Sequence, residues 1–297
     1  LKKIKSGFIE NGFNEVLSYS LVPDDNNELI KIANPLLVDT CCLRNNIWQE
    51  HLKIINRNIK AGQKSCWIFE IGNIFYKKSN LIEEEILSGG ICGKRKLEKW
   101  VESGKEVDLN YYEARGKLKE ALSGLNIKID DRADHTFDFL HPGRTAKLFI
   151  EGKEAGYFGE IHPRLILEKK ALKKIYLFNI KLINILTAST RKNKWNPIYR
   201  QFPTVPKMER DINFIFNKKY LISDIISQIN KSGKNLLEEV NLIDVFKEDN
   251  LNDDLVYYTF RLSYRDSEKT LLESDISATH ANIISTIEEK FHTKLRK

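Results

Sequence analysis

The sequence lacks several features that would assign a protein to a broad class at once. It has no uninterrupted apolar run of about 18 residues, the length that a membrane-spanning helix requires. Its first residues do not form a signal-peptide pattern. Its four cysteines, at positions 41, 42, 66 and 92, form no C-x-x-C pair and are too few for a disulfide framework. We therefore expect a cytoplasmic protein with no membrane association.

The common phosphate-binding and nucleophile motifs are also missing. No G-x-x-x-x-G-K-[ST] loop, G-x-G-x-x-G turn or G-x-S-x-G elbow occurs in the chain. These absences argue against a P-loop nucleotidase, a dinucleotide-binding oxidoreductase and an α/β-hydrolase.

The length and the charge distribution indicate two domains. The chain has 297 residues and a formal net charge of +7, and about 150 residues per domain predicts two. A polar, basic and then proline-punctuated stretch divides it, so we predict domains at 1–190 and 201–297 joined by a linker at 191–200. Residues 198–297 carry a net charge of −1, so the basic excess of +8 lies before them.

The second domain follows a recognisable order of elements. Alternating apolar residues predict strands at 210–217, 237–247 and 255–265, and helical spacing predicts helices at 221–229 and 273–291. Residues 249–253 form the turn between the second and third strands, and 292–297 are a candidate edge strand. The order βαββαβ is that of a ferredoxin-like domain, which is also used by RNA-recognition modules.

Side-chain alternation assigns a face to each strand residue of this domain. It directs Tyr257, Arg261 and Arg265 away from the core, and it directs Asp244 and Phe246 with Leu242 to the same open face. Ile243 and Val245 are then predicted in the core. Two aromatic rings beside arginines suit a surface that stacks bases and contacts phosphates. An ordinary half-exposed sheet remains an equal alternative on the pattern alone.

The first domain is predicted as an α+β layer. Helices are indicated at 1–11, 49–61 and 111–123, and strands at 15–22, 67–76, 86–92, 145–150, 155–161 and 175–180. Because neighbouring strands connect through hairpins, we expect a mostly antiparallel sheet flanked by helices. The basic runs at 94–96 and 169–174 are interpreted as solvated faces that could also steer a polyanion.

Two histidines suggest an alternative enzymatic site in this domain. His141 and His162, with Arg144 and Glu160, could form a self-contained catalytic site, and the histidines with Cys92 could bind a metal. Each histidine precedes a proline at a strand edge, which is typical of turns. We therefore favour structural turns and predict no catalytic residue and no metal ligand.

Specific strings, occurring in order over nearly the whole chain, resemble the beta subunit of bacterial phenylalanyl-tRNA synthetase. They are residues 32–36 (IANPL), 42–44 (CLR), 68–75 (IFEIGNIF), 140–146 (LHPGRTA), 159–163 (GEIHP), 242–246 (LIDVF), 260–265 (FRLSYR) and 269–271 (KTL). The resemblance implies a class II synthetase-like antiparallel sheet for 1–190 and a ferredoxin-fold anticodon-binding domain for 201–297. Because that subunit is much longer, we expect a C-terminal fragment, with the editing region and a magnesium site outside this chain.

The resemblance also implies a function. The family's ligase couples phenylalanine to ATP and transfers it to tRNA(Phe), as an (αβ)2 heterotetramer in which the alpha subunit is catalytic. No G-x-G-x-G-x-[DE]-R motif occurs here, so we expect a silent module without a cofactor of its own, ATP and magnesium serving the whole complex. Asp244, Phe246, Tyr257, Arg261 and Arg265 would face the anticodon. A free-standing RNA-binding or regulatory paralogue remains an alternative.

Overall fold

The computed structural model describes residues 1–24, 29–94, 107–166, 174–191, 199, 201–233, 236–247, 254–266 and 269–296. The chain divides into a first unit, Leu1–Ile198, and a second unit, Tyr199–Lys297. Most of the predicted linker at 191–200, most of the two basic runs and the turn predicted at 249–253 lie outside the described residues. No helix within the described ranges is long and apolar enough to cross a membrane.

The first unit is built on a seven-stranded sheet. Its strand order is β1-β5-β6-β10-β9-β8-β7, and a small second sheet has the order β2-β4-β3. The strands are β1 (Asn14–Glu15), β2 (Leu21–Val22), β3 (Ile30–Lys31), β4 (Cys42–Leu43), β5 (Ser65–Lys77), β6 (Leu81–Gly93), β7 (Ile129–Ala133), β8 (Leu140–Ile150), β9 (Lys153–Ile161) and β10 (Ile175–Lys181). The short β1 pairs in parallel with β5, and the other neighbours in the large sheet are antiparallel. The predicted α+β layer is therefore confirmed, but the single strand predicted at 15–22 is wrong, because the chain leaves the sheet edge after β1.

Helices of this unit cover both faces of the large sheet. They are α1 (Lys2–Glu10), α2 (Trp48–Lys60), α3 (Tyr111–Ser123) and α4 (Leu182–Ser189). Residues of α1, α3 and α4 pack on one face around Phe69 and Phe178, and Ile55 of α2 packs on the other face around Ile68 and Leu177. A Cβ atom on Gly90 would lie 2.6 Å from Ile55 Cδ1, so this glycine allows α2 to approach the sheet closely.

The second unit has the predicted ferredoxin-like order. Its elements are β11 (Met208–Asn217), α5 (Ile222–Gly233), β12 (Leu237–Phe246), β13 (Leu255–Tyr264) and α6 (Glu273–Phe291). The antiparallel sheet has the order β11-β13-β12. The predicted last strand is reduced to a bridge between Leu295 and Phe214 of β11, beside which Arg296 N donates to Asn213 O at 2.8 Å.

Helices α5 and α6 pack on one face of this sheet and leave the opposite face open. Tyr258, Phe260, Leu262 and Tyr264 lie in the core as predicted. The predictions for Leu242, Ile243 and Val245 are wrong: Leu242 packs against the core, whereas Ile243 and Val245 are 44% and 54% exposed. Val245 lies opposite the core residue Tyr258 in the ladder but at the exposed end of the strand. The physical reason is an irregularity in the pairing between Leu242 and Asp244, which shifts the alternation of faces by one residue.

Candidate nucleic-acid interface

The five predicted site residues lie on or directly after two neighbouring strands of the second unit. Asp244 and Phe246 are on β12, Tyr257 and Arg261 are on β13, and Arg265 follows β13. In the ladder Phe246 is opposite Tyr257 and Asp244 is opposite Thr259. At about 3.3 Å per residue, Tyr257 and Arg265 are roughly 26 Å apart along the strand. The structure thus brings Asp244, Phe246 and Tyr257 together. Arg265 lies several nucleotide lengths away from them.

An aromatic pair occupies one end of this open face. The rings of Phe246 and Tyr257 have centroids 6.2 Å apart with an interplanar angle of 37°. Phe246 is 47% exposed, whereas Tyr257 is only 6% exposed. The guanidinium of Arg296 lies 4.6 Å from the Tyr257 ring centroid. Phe246 is therefore the ring that a base can reach, whereas Tyr257 is buried beside it and contacts Arg296.

Sequence reasoning did not include Arg296 in the site. The signal was available, since the fourth strand of a βαββαβ domain lies beside the first, and Leu295 faces the core at the bridge to Phe214. The residue after it must then lie on the open face.

Arg261 is held by a carboxylate on the adjacent strand. Its Nε and Nη2 donate to the two carboxylate oxygens of Asp211 at 2.9 and 2.8 Å. These hydrogen bonds and the ionic attraction raise the pKa of Arg261 and lower the pKa of Asp211. Both side chains remain 43% exposed, so the pair is accessible to a ligand. Sequence reasoning missed Asp211, although the alternation of Ile212, Phe214 and Phe216 on β11 places it on the open face.

Two further cationic side chains near this face lie beside carboxylates. Arg265 Nε lies 3.0 Å from Glu238 Oε2, and Lys207 Nζ lies 2.5 Å from Glu209 Oε1. Between these pairs and the aromatic end, Asn213 Nδ2 donates to Thr259 Oγ1 at 3.0 Å. The open face is therefore a mixed surface in which carboxylates accompany the arginines, rather than a basic patch.

The histidines of the alternative enzymatic site cap turns. Gly143 N donates to His141 Nδ1 at 3.0 Å, and Arg164 N donates to His162 Nδ1 at 3.2 Å. Arg144 Nη1 contacts both carboxylate oxygens of the buried Glu160, at 3.0 and 3.1 Å. Within the described part of the chain, His, Cys, Asp and Glu side chains form no cluster of three or more that could hold a metal ion. These contacts fit the interpretation as turns.

The sequence did not predict a buried polar cluster that the structure shows in the first unit. Arg44, His51 and Glu70 are 3%, 0% and 1% exposed. Arg44 Nη1 lies 3.0 Å from Glu70 Oε1 and donates to Ser18 Oγ at 2.7 Å. Ser18 donates its Oγ hydrogen to Glu70 Oε2 at 2.6 Å, and His51 Nε2 lies 3.4 Å from the same oxygen. Long-range pairing of this kind has no signal in residue spacing.

The cluster holds Glu70 in its ionised form. Burial raises the pKa of the Glu70 carboxyl, but the contacts with His51 and Ser18 and the charge of Arg44 outweigh burial, so the pKa is lowered from its ordinary 4.5. A carboxyl with a lowered pKa in the folded state stabilises the protein above its ordinary pKa and loses that effect as the pH falls.

We expect Glu70→Gln to remove this acid-dependent part of the stability. The variant should be less stable than the wild type at pH 7, and the difference should shrink as the pH falls below the ordinary carboxyl value of 4.5. Urea unfolding of both proteins at a series of pH values measures it. A difference that stays constant through the acidic range would show that Glu70 does not titrate with folding.

A second unpredicted feature is a group of exposed apolar side chains near the sheet edge. Leu17 and Tyr19 are 91% and 80% exposed. Leu17 and Tyr19 lie two and four residues after the edge strand β1, and half-buried Ser18 lies between them. Apolar exposure of this degree at a sheet edge is typical of a surface that another chain covers.

Comparison with known proteins assigns a family to both parts of the chain. The profile of the phenylalanyl tRNA synthetase beta chain CLM domain matches residues 1–182, and that of the ferredoxin-fold anticodon binding domain matches residues 203–296. Both confirm the resemblance seen in the sequence.

Individual relatives carry the same description. The phenylalanine–tRNA ligase beta subunits of Prochlorococcus marinus strain MIT 9312 and of P. marinus subsp. pastoris are 68% and 65% identical to this chain. Each match covers 100% of this chain and 36% of the relative, so the chain spans about a third of the length of these curated relatives. A solved pyrrolysyl tRNA synthetase, PylSc of Desulfitobacterium hafniense, is 15% identical with a TM-score of 0.46, over 63% of this chain and 64% of that one. On the matches to the family profile and to these beta subunits, the chain belongs to the phenylalanyl-tRNA synthetase beta chain family.

Proposed function

We propose that the chain is a part of phenylalanine–tRNA ligase that binds the anticodon of tRNA(Phe) and contacts the catalytic alpha subunit, without performing chemistry itself. The observation that carries the RNA-binding part is the open sheet face with the exposed ring of Phe246 beside the buried ring of Tyr257. A single exposed aromatic ring on a supported platform is what stacking of an unpaired base requires.

The polar residues of the open face complement this platform. Asp244 lies opposite Thr259, two pairs along the ladder from the aromatic rings, where its carboxylate can accept hydrogen bonds from a base edge. Arg261 and Arg265 lie further along the strand and suit contacts with phosphates or with a second base. Because Glu209, Asp211, Glu238 and Asp244 share this surface, stacking and placed hydrogen bonds contribute more to binding than net charge does.

The proposal that the first unit has no catalytic activity is supported by how its sheet is covered. Helices α1, α3 and α4 pack on one face and α2 packs on the other, so the chain's own side chains occupy both. The sequence also lacks the glycine-rich motif that ends in an arginine. We propose that ATP and magnesium act elsewhere in the cytoplasmic (αβ)2 complex and that this chain holds neither.

We propose that the first unit contacts the alpha subunit through the sheet edge. Leu17 and Tyr19 point away from the unit beside the short strand β1, and their apolar surface is unsuited to permanent exposure. A partner chain packed on this edge would bury these side chains and protect the edge from other pairings.

Binding experiments with the full-length beta subunit test both parts. The alpha subunit should co-purify with it at equal stoichiometry, and the complex should bind tRNA(Phe) more tightly than a tRNA(Phe) with a replaced anticodon. Equal binding of the two tRNAs would contradict the anticodon assignment. Absence of the alpha subunit, with RNA binding retained, would favour a free-standing RNA-binding paralogue.

Releasing Arg261 from its carboxylate should make RNA binding more dependent on salt. In Asp211→Asn the guanidinium loses its bidentate carboxylate and keeps the weaker contact of Nε with Glu209 Oε2 at 3.9 Å. It becomes more available to a phosphate, so affinity for tRNA(Phe) should rise modestly. The slope of log K against log salt concentration should steepen by about 0.7, the value for one added phosphate contact on a single strand. Titrations at several salt concentrations measure both quantities. A clear loss of affinity would instead show that Asp211 orients Arg261 for a base contact.

A further inference from the structure

The buried pair of Arg44 and Glu70 lies directly behind the exposed apolar residues of the sheet edge. We define the edge segment as residues 16–20, which follow β1. Val16 N donates to Phe69 O of β5 at 2.9 Å, which continues the pairing of β1 by one residue. The contacts of Ser18, Tyr19 and Ser20 that follow are made with Arg44 and Glu70, so these two residues replace a sheet neighbour along the edge segment.

Glu70 binds the edge segment through Ser18. Its Oε2 accepts from Ser18 Oγ at 2.6 Å and from Ser18 N at 3.2 Å. Both a side-chain and a backbone donor of one residue therefore meet the same carboxylate oxygen. Hydrogen bonds to an ionised acceptor are stronger than those between neutral groups, which makes Ser18 the anchored residue of the segment.

Arg44 binds the same segment at three consecutive residues. Its Nη1 donates to Ser18 Oγ at 2.7 Å and lies 3.4 Å from Ser18 O and 3.5 Å from Tyr19 O. Its backbone N donates to Ser20 O at 3.0 Å. Nε donates to Asn73 O of β5 at 2.9 Å, so the guanidinium links the edge segment to the large sheet.

The local structure is shaped to hold this pair. A Cβ atom on Gly72 would lie 2.5 Å from Arg44 Nη2 and 3.0 Å from Glu70 Oε1. The glycine therefore leaves the space that the guanidinium and the carboxylate occupy. Arg44 and Glu70 are 3% and 1% exposed, too buried to serve as a contact surface themselves.

We propose that Arg44 and Glu70 are positioning residues for the alpha-subunit contact, which they serve by anchoring Ser18 inward so that Leu17 and Tyr19 point outward. The inference rests on the proposed function of this edge. Successive side chains of an extended segment point to opposite sides, so an inward anchor at Ser18 determines the outward direction of both neighbours. Without that anchor the segment can turn, and the apolar pair no longer forms one surface.

Ser18→Ala in the full-length beta subunit tests the proposal. The variant retains the Arg44–Glu70 ion pair but removes the hydroxyl that both partners contact. We expect amide hydrogen exchange to become faster at Ser18, while Val16, whose N–H is bound to Phe69 O, stays protected. Affinity for the alpha subunit should fall about tenfold, the lower range for losing hydrogen bonds to charged groups. Ser189→Ala is the matched control, because it removes the hydroxyl of a buried serine of the same unit that bonds a backbone carbonyl, Leu186 O, on α4. The affinity of this variant for the alpha subunit should be unchanged.

Leu17→Ser with Tyr19→Ser separates this inference from the proposed contact. If the double variant weakens alpha-subunit binding and Ser18→Ala does not, the positioning role is overturned while the contact stands. If the double variant binds normally, the sheet edge is not the contact and both proposals are overturned. The positioning role is supported if both variants weaken alpha-subunit binding and if amide exchange in Ser18→Ala becomes faster at position 18 alone.

Discussion

Replacing Arg44 with alanine is expected to lower the free energy of unfolding by about 3–5 kcal/mol, the range for breaking a buried ion pair from one side. Glu70, at 1% exposure, would keep a charge in a site that water does not reach. The substitution also removes the donors that bind Ser18 Oγ and Asn73 O. Urea unfolding followed by circular dichroism measures the change.

Arg191→Ala is the matched control for this experiment. Arg191 pairs with Glu151 at 2.6 Å, but its side chain is 56% exposed, and exposed pairs contribute at most about 1 kcal/mol. A loss of similar size in the two variants would show that burial does not determine the effect at Arg44. The interpretation that the buried Arg44–Glu70 pair stabilises the first unit would then be wrong.

Replacing Phe246 with alanine is expected to weaken binding of tRNA(Phe) by the complex by about 5- to 150-fold, which corresponds to the roughly 1–3 kcal/mol of one stacked base. Phe246 is 47% exposed and lies at the end of β12, so truncation should cost the fold little. Fluorescence titration with tRNA(Phe) and aminoacylation at limiting tRNA measure the loss.

Two further variants show whether stacking is the cause. Phe246→Tyr keeps the ring and should bind like the wild type, because the aromatic face is the part that stacks on a base. Tyr112→Ala removes a ring that is 83% exposed on α3 of the first unit and should leave affinity unchanged. Unchanged aminoacylation in Phe246→Ala would make the anticodon assignment wrong.

Tyr257→Ala is expected to give a mixed result. Tyr257 is 6% exposed and contacts both Phe246 and Arg296. Its removal should therefore lower stability as well as RNA affinity, through the loss of packing beneath Phe246. This burial is why Phe246, rather than Tyr257, gives the cleaner test of base stacking.

The element order of the second unit could be predicted because its periodicities are strong and local. Ile212, Phe214 and Phe216 alternate along one strand, and the helix predicted at 273–291 is found as Glu273–Phe291. Regular alternation and helical spacing arise because one face of each element is buried, and both patterns are visible in the sequence. The same reasoning placed Phe246 and Tyr257 on one face, where they are paired in the ladder.

The errors and omissions have a common origin in pairing between distant residues. The irregularity after Leu242 depends on how β12 meets β13, so simple alternation placed Leu242 and Ile243 on the wrong faces. Asp211 and Arg261 are 50 residues apart in the sequence, and Arg44 and Glu70 are 26 residues apart. A carboxylate that neutralises an arginine across a sheet cannot be identified from spacing along one strand.

By itself the sequence determined the α+β class, the ferredoxin-like order of the second unit and, through its ordered strings, the family. Those features depend on side-chain periodicity and on local motifs, and both involve residues that are close together in the sequence. Only the tertiary structure decided which ring of the aromatic pair is exposed, that Arg261 is already paired, and that the exposed Leu17 and Tyr19 flank a serine bonded to a buried ion pair. Exposure and charge pairing depend on which distant segments meet, and a linear pattern does not contain that information.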